Sequence, residues 1–333
     1  MNRVVFTCGD INGIGPEVTI KTLNRILPAN KNTQFILIIP KNVFTSISNL
    51  ISPEFDYKLL SKSDNLKGFS AQVLINTINS SAQTLGKPTI NSGKSSYEAL
   101  KISFQMIQHS FADAVVTAPV SKTALKFAGS KYPGQTEMFA DWCGSKNFVM
   151  TFLSKKIRVA LYSIHIPLKD VHKSLNSKLL KIKLDILIKM LRNDLGIAIP
   201  RIAVLGLNPH AGENGIIGEE EKLILQPTLK KTKALGILDG PFSPDAFFAN
   251  KLFKKYDLAL GLYHDQVLIP FKYINSGRGV NFTAGLPIIR TSPDHGVAYD
   301  IAGQGIADES SMIEAFKYAK LIHHNRLASR KIE

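Results

Sequence analysis

Apolar and amphipathic stretches alternate along the chain and predict its secondary structure. Gln34–Pro40 is almost continuously apolar, which is typical of a strand buried on both faces of a sheet. Lys178–Leu195 spaces its apolar residues three and four positions apart, which predicts a long helix. Pro227 is expected to end or kink the helix that contains it. The same criteria predict strands at Val4–Cys8, Ala112–Ala118, Phe148–Ser154, Arg158–Ile164, Arg201–Leu207 and Leu258–Tyr263, and helices at Glu17–Leu27, Tyr97–His109, Glu219–Lys231, Pro244–Tyr256 and Ser310–Leu327.

The alternation of these elements predicts an α/β protein with a largely parallel sheet. Two strands, Phe148–Ser154 and Arg158–Ile164, are close enough in sequence to form a hairpin. A length of 333 residues fits either two domains or one large α/β unit. Glycine and proline cluster near Lys131–Gly134 and near Asn275–Pro287, so these are the candidate crossings between two lobes.

Composition changes this picture only through charge and cysteine content. The formal net charge is +15, but the lysines are spread along the chain, with no long basic arm and no aromatic-rich motif. We therefore expect a lysine-rich surface that can attract a phosphorylated substrate, and no binding to nucleic acid. The apolar runs are shorter than the roughly 20 residues of a membrane span. Cys8 and Cys143 form no disulfide framework, and no signal peptide is recognisable, so we predict a cytoplasmic protein with free thiols.

Three histidines stand at the ends of three predicted strands. His165, His210 and His264 each follow an apolar run, and ligands of open α/β sheets bind at the carboxyl ends of strands. Three neutral imidazoles leave an open position on a divalent metal, where a substrate can bind. The alternative is that each histidine is a loop residue hydrogen-bonded to the backbone. Equivalent placement on three strands favours the metal site.

Two further stretches suit anionic ligands. Gly9–Gly15 does not match the G-x-G-x-x-G dinucleotide fingerprint, and it fits either a tight strand-to-helix turn or an anion or cofactor lining. Lys272, Arg278, Asn281 and Arg290 lie close together in sequence among glycines. Lysine, arginine and amide donors in such an arrangement suit a phosphate and a carboxylate.

Several longer motifs resemble the 4-hydroxythreonine-4-phosphate dehydrogenases of vitamin B6 biosynthesis. The asparagine-proline-histidine motif and "YHDQ" are the most specific, and the motifs follow the family's order over nearly the whole chain. They are "GDINGIGPE" at Gly9–Glu17, "TAPVSK" at Thr117–Lys122, "LNPHAGENGIIGEEE" at Leu207–Glu221, "YHDQVLIPFKY" at Tyr263–Tyr273 and "GRGVNFTAGLPIIRTSPDHGVAYDIAGQGIAD" at Gly277–Asp308.

The resemblance implies a fold and an assembly. It implies an α/β protein of two α/β/α lobes with a cleft between them, similar to isocitrate and isopropylmalate dehydrogenases. The cofactor-side domain would comprise residues 1–130 plus 288–333. The second domain, which carries the metal, substrate and dimer contacts, would comprise residues 131–287. The protein would act as a homodimer with its active site at the subunit interface, with His264 reaching the site of the partner subunit.

The resemblance also implies site residues. One divalent metal per subunit would be held by His165, His210 and His264; zinc suits them best, with cobalt, manganese or magnesium as alternatives. NAD or NADP would bind near the Asp294–Asp308 loop. Asp265 would be either the base or a partner that orients an imidazole. The substrate contacts would be Gln135, Thr136, Lys272, Asn281 and Arg290, and the cofactor contacts His295 and Asp300.

The implied reaction is the metal-dependent, NAD(P)-linked oxidation of 4-phosphohydroxy-L-threonine to a β-keto acid. Loss of carbon dioxide then gives 3-amino-2-oxopropyl phosphate, a step toward pyridoxal 5'-phosphate. The chain departs from the family pattern in two places: Gln135 replaces a substrate-contacting histidine, and Ile11-Asn12 replaces a common Pro-Ala. Since glutamine carries no charge and shuttles no proton, a paralogue that oxidises threonate or erythronate 4-phosphate is the alternative.

Overall fold

The computed structural model describes residues 1–61, 69–232 and 236–329. The chain forms two compact units, which are called the first unit (Met1–Gly144 with Pro287–His324) and the second unit (Ser145–Leu286 with Asn325–Glu333). Both units are mixtures of strands and helices. In chain order the strands are β1 Arg3–Thr7, β2 Gln34–Pro40, β3 Tyr57–Leu60, β4 Val73–Ile78, β5 Ala114–Thr117, β6 Val149–Leu153, β7 Val159–Leu161, β8 Arg201–Leu205, β9 Ile237–Phe242, β10 Leu258–Gly261, β11 Val280–Ala284 and β12 Arg290–Pro293.

The α-helices lie between these strands, as the alternating pattern predicts. In the described part of the chain, none is long and apolar enough to cross a membrane. They are α1 Gly15–Ile26, α2 Lys41–Leu50, α3 Ile90–Gln108, α4 Lys122–Phe127, α5 Gln135–Trp142, α6 Val171–Ser174, α7 Ser177–Asn193, α8 Gln226–Lys231, α9 Pro244–Ala249, α10 His264–Asn275 and α11 Ser310–Ser329.

The strands of the first unit are all parallel, in the order β3-β4-β2-β1-β5-β12. Apolar side chains from β1 and β2 are fully buried, and Phe6, Phe35 and Phe316 form a group of three tilted rings. Such strands are buried on both faces, which explains why β2 shows a continuous apolar run. The α/β class with a largely parallel sheet is confirmed.

The strands of the second unit follow the order β11-β6-β7-β10-β8-β9. β7, β10, β8 and β9 are parallel neighbours, whereas β6 is antiparallel to both β7 and β11. The predicted hairpin between β6 and β7 is therefore confirmed. The parallel group matters for function because its carboxyl ends all lie at one edge of the sheet.

The limits of the two units differ from the predicted domain limits. Residues 131–144 belong to the first unit because Phe139 and Trp142 of α5 pack against Phe104 of α3. The chain from Asn325 onward belongs to the second unit. There Arg326 forms an ion pair with Asp194 (Nε to Oδ1, 2.7 Å).

Two predicted helices are interrupted. Pro244–Tyr256 was predicted as one helix, which is wrong: α9 ends at Ala249, Lys251 has a φ of +54°, and a short 3-10 turn follows. The left-handed backbone at Lys251 cannot continue a right-handed helix. The other predicted helix contains a π turn at Glu221–Leu225 before α8, with Pro227 near the start of α8. Proline lacks the N–H that a regular helix needs there, so the pattern of backbone hydrogen bonds shifts at this position.

Candidate active site

The three predicted metal ligands follow three neighbouring parallel strands of the second unit. His264 follows β10, and β10 pairs with β7 on one side and β8 on the other. His165 comes four residues after β7, and His210 comes five residues after β8. The fold therefore brings all three chain segments to the same edge of the sheet, since parallel strands end on the same side.

His165 and His264 approach each other closely within one chain. Their ring centroids are 5.9 Å apart, and the rings are tilted by 39°. Nδ1 of His264 lies 2.7 Å from Oδ1 of Asp265. A proton on Nδ1 satisfies this contact and leaves Nε2 as the acceptor, which is how a carboxylate orients a metal-binding imidazole. Asp265 itself is largely exposed.

His210 is held by an unusual loop. His210 to Asn214 have positive φ in succession, and His210 has a φ of +51°. Non-glycine residues in this region are strained, so surrounding contacts must fix them. The buried carboxylate of Glu221 supplies such contacts: it accepts hydrogen bonds from the backbone N–H of Leu207 (2.7 Å) and Asn208 (2.8 Å) and from Nδ2 of Asn208 (2.9 Å).

The described residues contain no ready-made group of three or more His, Cys, Asp or Glu side chains that could hold a metal. The structure thus pairs His165 with His264 and leaves the exposed His210 outside such a group. Glu221 was missed as a positioning residue by sequence reasoning. Its signal was present, because a Glu-rich segment follows the asparagine-proline-histidine motif directly.

Gln266 is a second residue whose role the sequence reasoning missed. Its side chain is buried, its Oε1 accepts a hydrogen bond from the N–H of Leu262 (2.7 Å), and its Nε2 donates to the carbonyl of Gly206 (2.6 Å). Leu262 follows β10 and Gly206 follows β8. Gln266 therefore links the two segments that carry His264 and His210.

Arg290 is the centre of a polar group in the first unit. The side chain is fully buried, and its guanidinium donates to the hydroxyls of Thr117 (3.1 Å), Thr136 (3.3 Å) and Ser292 (3.0 Å). Burial lowers the pKa of Arg290 to about 10, and the carboxylate of Glu137 opposes this shift. The side chain remains charged at neutral pH. A buried, positioned guanidinium is suited to an anionic ligand.

Gln135 and Thr136 begin helix α5, and Thr136 reaches Arg290. The Oε1 atom of Gln135 is buried and accepts no hydrogen bond from the residues that the structure describes. Buried polar atoms almost always have a partner, so this one is suited to a donor from a bound molecule. Of the other predicted substrate contacts, Lys272 is exposed in the last turn of α10 and Asn281 is half-buried in β11, both in the second unit.

The predicted cofactor residues lie in the first unit. Nδ1 of His295 is 3.0 Å from the carbonyl of Gly296, and its buried Nε2 has no hydrogen-bond partner in the described part of the chain. Asp300 is exposed in a short 3-10 turn. The structure brings His295 and Asp300 onto one loop, which continues to Asp308.

This loop is fastened to the glycine-containing segment after β1. The N–H of Ile14 donates to the carbonyl of Val297 (2.9 Å), and a Cβ on Gly13 would lie 2.6 Å from the same carbonyl oxygen. Only glycine permits this approach. The hydroxyl of Tyr299 donates to Oδ2 of Asp10 (2.8 Å), and burial raises the pKa of both groups. Gly13 therefore serves the packing of this loop.

Comparisons with known proteins point to one family. The model of the family "Pyridoxal phosphate biosynthetic protein PdxA" matches residues 31–319. The 4-hydroxythreonine-4-phosphate dehydrogenase of Sulfurihydrogenibium sp. (strain YO3AOP1) is 37% identical, covering 98% of this chain and all of that protein. The enzyme of the same name from Zymomonas mobilis is 38% identical over 98% of both chains.

Solved structures agree with the sequence comparison. The crystal structure of 4-hydroxythreonine-4-phosphate dehydrogenase from Klebsiella pneumoniae superposes with a TM-score of 0.81 at 31% identity, covering 97% of this chain and 100% of that one. A terephthalate 1,2-cis-dihydrodiol dehydrogenase from Burkholderia xenovorans shares the fold, with a TM-score of 0.63 at 21% identity over 96% and 98% of the chains. The resemblance of the motifs is thus confirmed, and the chain belongs to the PdxA family of 4-hydroxythreonine-4-phosphate dehydrogenases.

Proposed function

We propose that the protein oxidises 4-phosphohydroxy-L-threonine with NAD or NADP. The β-keto acid product would lose carbon dioxide to give 3-amino-2-oxopropyl phosphate, in the biosynthesis of pyridoxal 5'-phosphate. Family membership supports the reaction. The observation that carries its metal dependence is the placement of three histidines after three adjacent parallel strands, with His264 oriented by Asp265.

The histidines fit a divalent metal. Imidazole nitrogens are common ligands of zinc, and Asp265 beside Nδ1 of His264 leaves its Nε2 to bind a metal. His165 follows the neighbouring strand β7 and would supply a second nitrogen. His210 would complete the set, with zinc preferred and cobalt, manganese or magnesium as alternatives. When bound, the metal supplies Lewis-acid chemistry that makes the substrate hydroxyl easier to deprotonate.

The chain's own residues would bind and orient the substrate. The Arg290 guanidinium and the Lys272 ammonium suit the phosphate and carboxylate groups. Arg290 is buried, so the exclusion of water would strengthen its contact, whereas Lys272 is exposed. Gln135, Thr136 and Asn281 would add neutral hydrogen bonds. The unpartnered Oε1 of Gln135 is available to accept a hydrogen bond from a substrate hydroxyl or ammonium group.

Asp265 would orient His264 and not act as the base. Its oxygen is 2.7 Å from Nδ1 of His264, which fixes the imidazole for ligation. On the cofactor side, the residues fit a dinucleotide because His295 carries a buried Nε2 with no partner among the described residues, and Asp300 presents an exposed carboxylate on the same loop. These two residues would contact NAD or NADP, and the loop that carries them would bind its adenosine portion.

We also propose a cytoplasmic homodimer with the active site at the subunit interface. The described residues of one chain contain no group of three metal-ligating side chains, which supports a ligand from a second copy. In this dimer, His264 of each subunit would bind the metal in the active site of the partner subunit. Two free cysteines agree with a reducing compartment.

A paralogous activity on threonate or erythronate 4-phosphate is the second candidate. Gln135 favours it, because a neutral amide occupies the place of the histidine that the family motif carries. Steady-state formation of NADH with each substrate separates the two. We expect the higher kcat/KM with 4-phosphohydroxy-L-threonine. No turnover of this substrate, together with turnover of threonate or erythronate 4-phosphate, would establish the second function instead.

A further inference from the structure

A pocket of about 290 Å³ lies in the second unit, between the start of β6, the end of β7 and helix α7. Its wall carries three groups that are cationic or can become so: Lys146, His165 and Lys183. None of the described residues that line it is an aspartate or a glutamate. The pocket is therefore a cationic recess, and only His165 among its residues belongs to the proposed metal site.

Lys183 is the most unusual group in this wall. Only 8% of the residue is exposed, although it is a lysine on the helix α7. Its Nζ donates to the carbonyl of Phe148 at 3.3 Å and lies 5.8 Å from the centroid of the Tyr162 ring. An ammonium has three N–H donors, and in the part of the chain that the structure describes no carboxylate pairs with this one.

The neighbouring hydroxyl groups do not compensate for this charge. The hydroxyl of Tyr162 donates to the carbonyl of Ser174 (2.8 Å) and accepts from the N–H of Asn176 (3.1 Å). The hydroxyl of Ser163 donates to the carbonyl of Leu262 (2.6 Å). Burial without a counter-charge lowers the pKa of Lys183 to about 8. A buried cation of this kind is costly unless it is paired.

We propose that this pocket binds a small oxyanion, a phosphate or carboxylate group, with the Lys183 ammonium as its anchor. An oxyanion would accept the free N–H donors of Lys183 and be attracted by Lys146 at the rim. Lys183 is not among the residues whose hydroxyls contact Arg290, and it is not one of the three proposed metal ligands. Anion binding in this pocket requires no turnover, metal or nicotinamide, so it can be tested separately from the proposed reaction.

The direct test is a pH titration of Lys183 by NMR in protein labelled with carbon-13 at the lysine Cε, with the signal assigned by its absence in Lys183→Met. Inorganic phosphate and acetate are added separately, in place of chloride at constant ionic strength. We expect the pKa of Lys183 to rise by roughly one unit or more as the anion binds, because an opposite charge within contact distance favours the ammonium. The larger rise with phosphate or with acetate identifies the preferred group.

Lys189, which is exposed on the same helix, is the matched control and should not shift. An unchanged pKa of Lys183 with both anions overturns the proposal. A second measurement, of melting temperature, tests whether Lys183 has a structural role. In chloride, Lys183→Met should melt at a higher temperature than the wild type, because an unpaired buried charge is replaced by an apolar chain of similar length. A lower melting temperature would contradict the claim that the ammonium lacks an adequate partner.

Discussion

Single side chains in this protein have partners that reveal what they are positioned to do. The carboxylate of Asp265 contacts Nδ1 of His264, whereas the buried Oε1 of Gln135 accepts no hydrogen bond from any described residue. We propose that the first arrangement prepares an imidazole for a metal and that the second leaves an acceptor for a ligand. The sequence indicated both positions, but only the structure separates an orienting role from a binding role.

Asp265→Asn tests the orienting role. The amide does not hold the Nδ1 tautomer of His264 as a carboxylate does, so metal affinity should fall by about 10- to 100-fold. Competition with a chromophoric chelator measures this affinity, and Asp185→Asn, an exposed change on α7, is the control. Unchanged metal affinity with a large loss of kcat would show that Asp265 is the base.

Gln135→Ala tests substrate contact. Loss of one neutral hydrogen bond should lower kcat/KM by about 3- to 10-fold, since such a bond contributes about 1 kcal/mol. Gln108→Ala, which removes an exposed glutamine at the end of α3, should leave kcat/KM unchanged. Equal kinetics for the Gln135 variant and the wild type would remove this residue from the substrate site.

Elements of the second unit are joined at their ends by buried polar side chains. Glu221 at the π turn holds the backbone after β8, and Gln266 of α10 joins the segments after β8 and β10. The bonds of Glu221 to Leu207 and Asn208 span 14 and 13 positions, and the bond of Gln266 to Gly206 spans 60, so helix and strand periodicity does not predict them. They explain how a run of positive φ values persists at His210 to Asn214.

Glu221→Gln should weaken this connection. A carboxylate that accepts three hydrogen bonds is replaced by an amide with one acceptor oxygen, and a hydrogen bond to a charged group contributes about 1.5 to 3 kcal/mol. We expect a lower melting temperature and faster hydrogen exchange at Leu207 and Asn208. Glu213→Gln, an exposed change in the same loop, is the control. Normal exchange protection in the Glu221 variant would refute the holding role.

Helix α7 provides a pH-dependent test. The pKa of Lys183 is lowered to about 8 from the ordinary 10.5, so between these values the unfolded chain binds more protons than the folded one. Stability must therefore rise with pH across this window as far as Lys183 contributes. Denaturant unfolding of the wild type and Lys183→Met should show a stability gap, in favour of the variant, that is full below pH 8 and narrows toward pH 10.5. A constant gap would contradict the account.

At the scale of the whole molecule, the sequence predicts the architecture better than the details. Buried parallel strands give continuous apolar runs, so β2 was predicted at its observed limits and the α/β class followed. β3 was missed because three of its four residues are exposed. β12 was missed because its four buried residues, Arg290–Pro293, include no run of apolar side chains. The break at Lys251 depends on one backbone angle that no periodicity reveals.

In the candidate site too, some residues were predicted from the sequence and others were found only in the structure. Three histidines at strand ends were predicted from the sequence, and the pairing of β10 with β7 and β8 places their segments side by side. Glu221 and Gln266 escaped prediction because their roles depend on backbone groups brought close only by folding.

Metal-dependent turnover tests the central claim most directly. NADH or NADPH formation from 4-phosphohydroxy-L-threonine should be measured on the isolated enzyme, after exhaustive chelation, and after zinc, cobalt, manganese or magnesium is restored. The account predicts that chelation abolishes turnover, that at least one of these metals restores it, and that His264→Ala cannot be restored by any of them. Full activity after verified metal removal would contradict the three-histidine site.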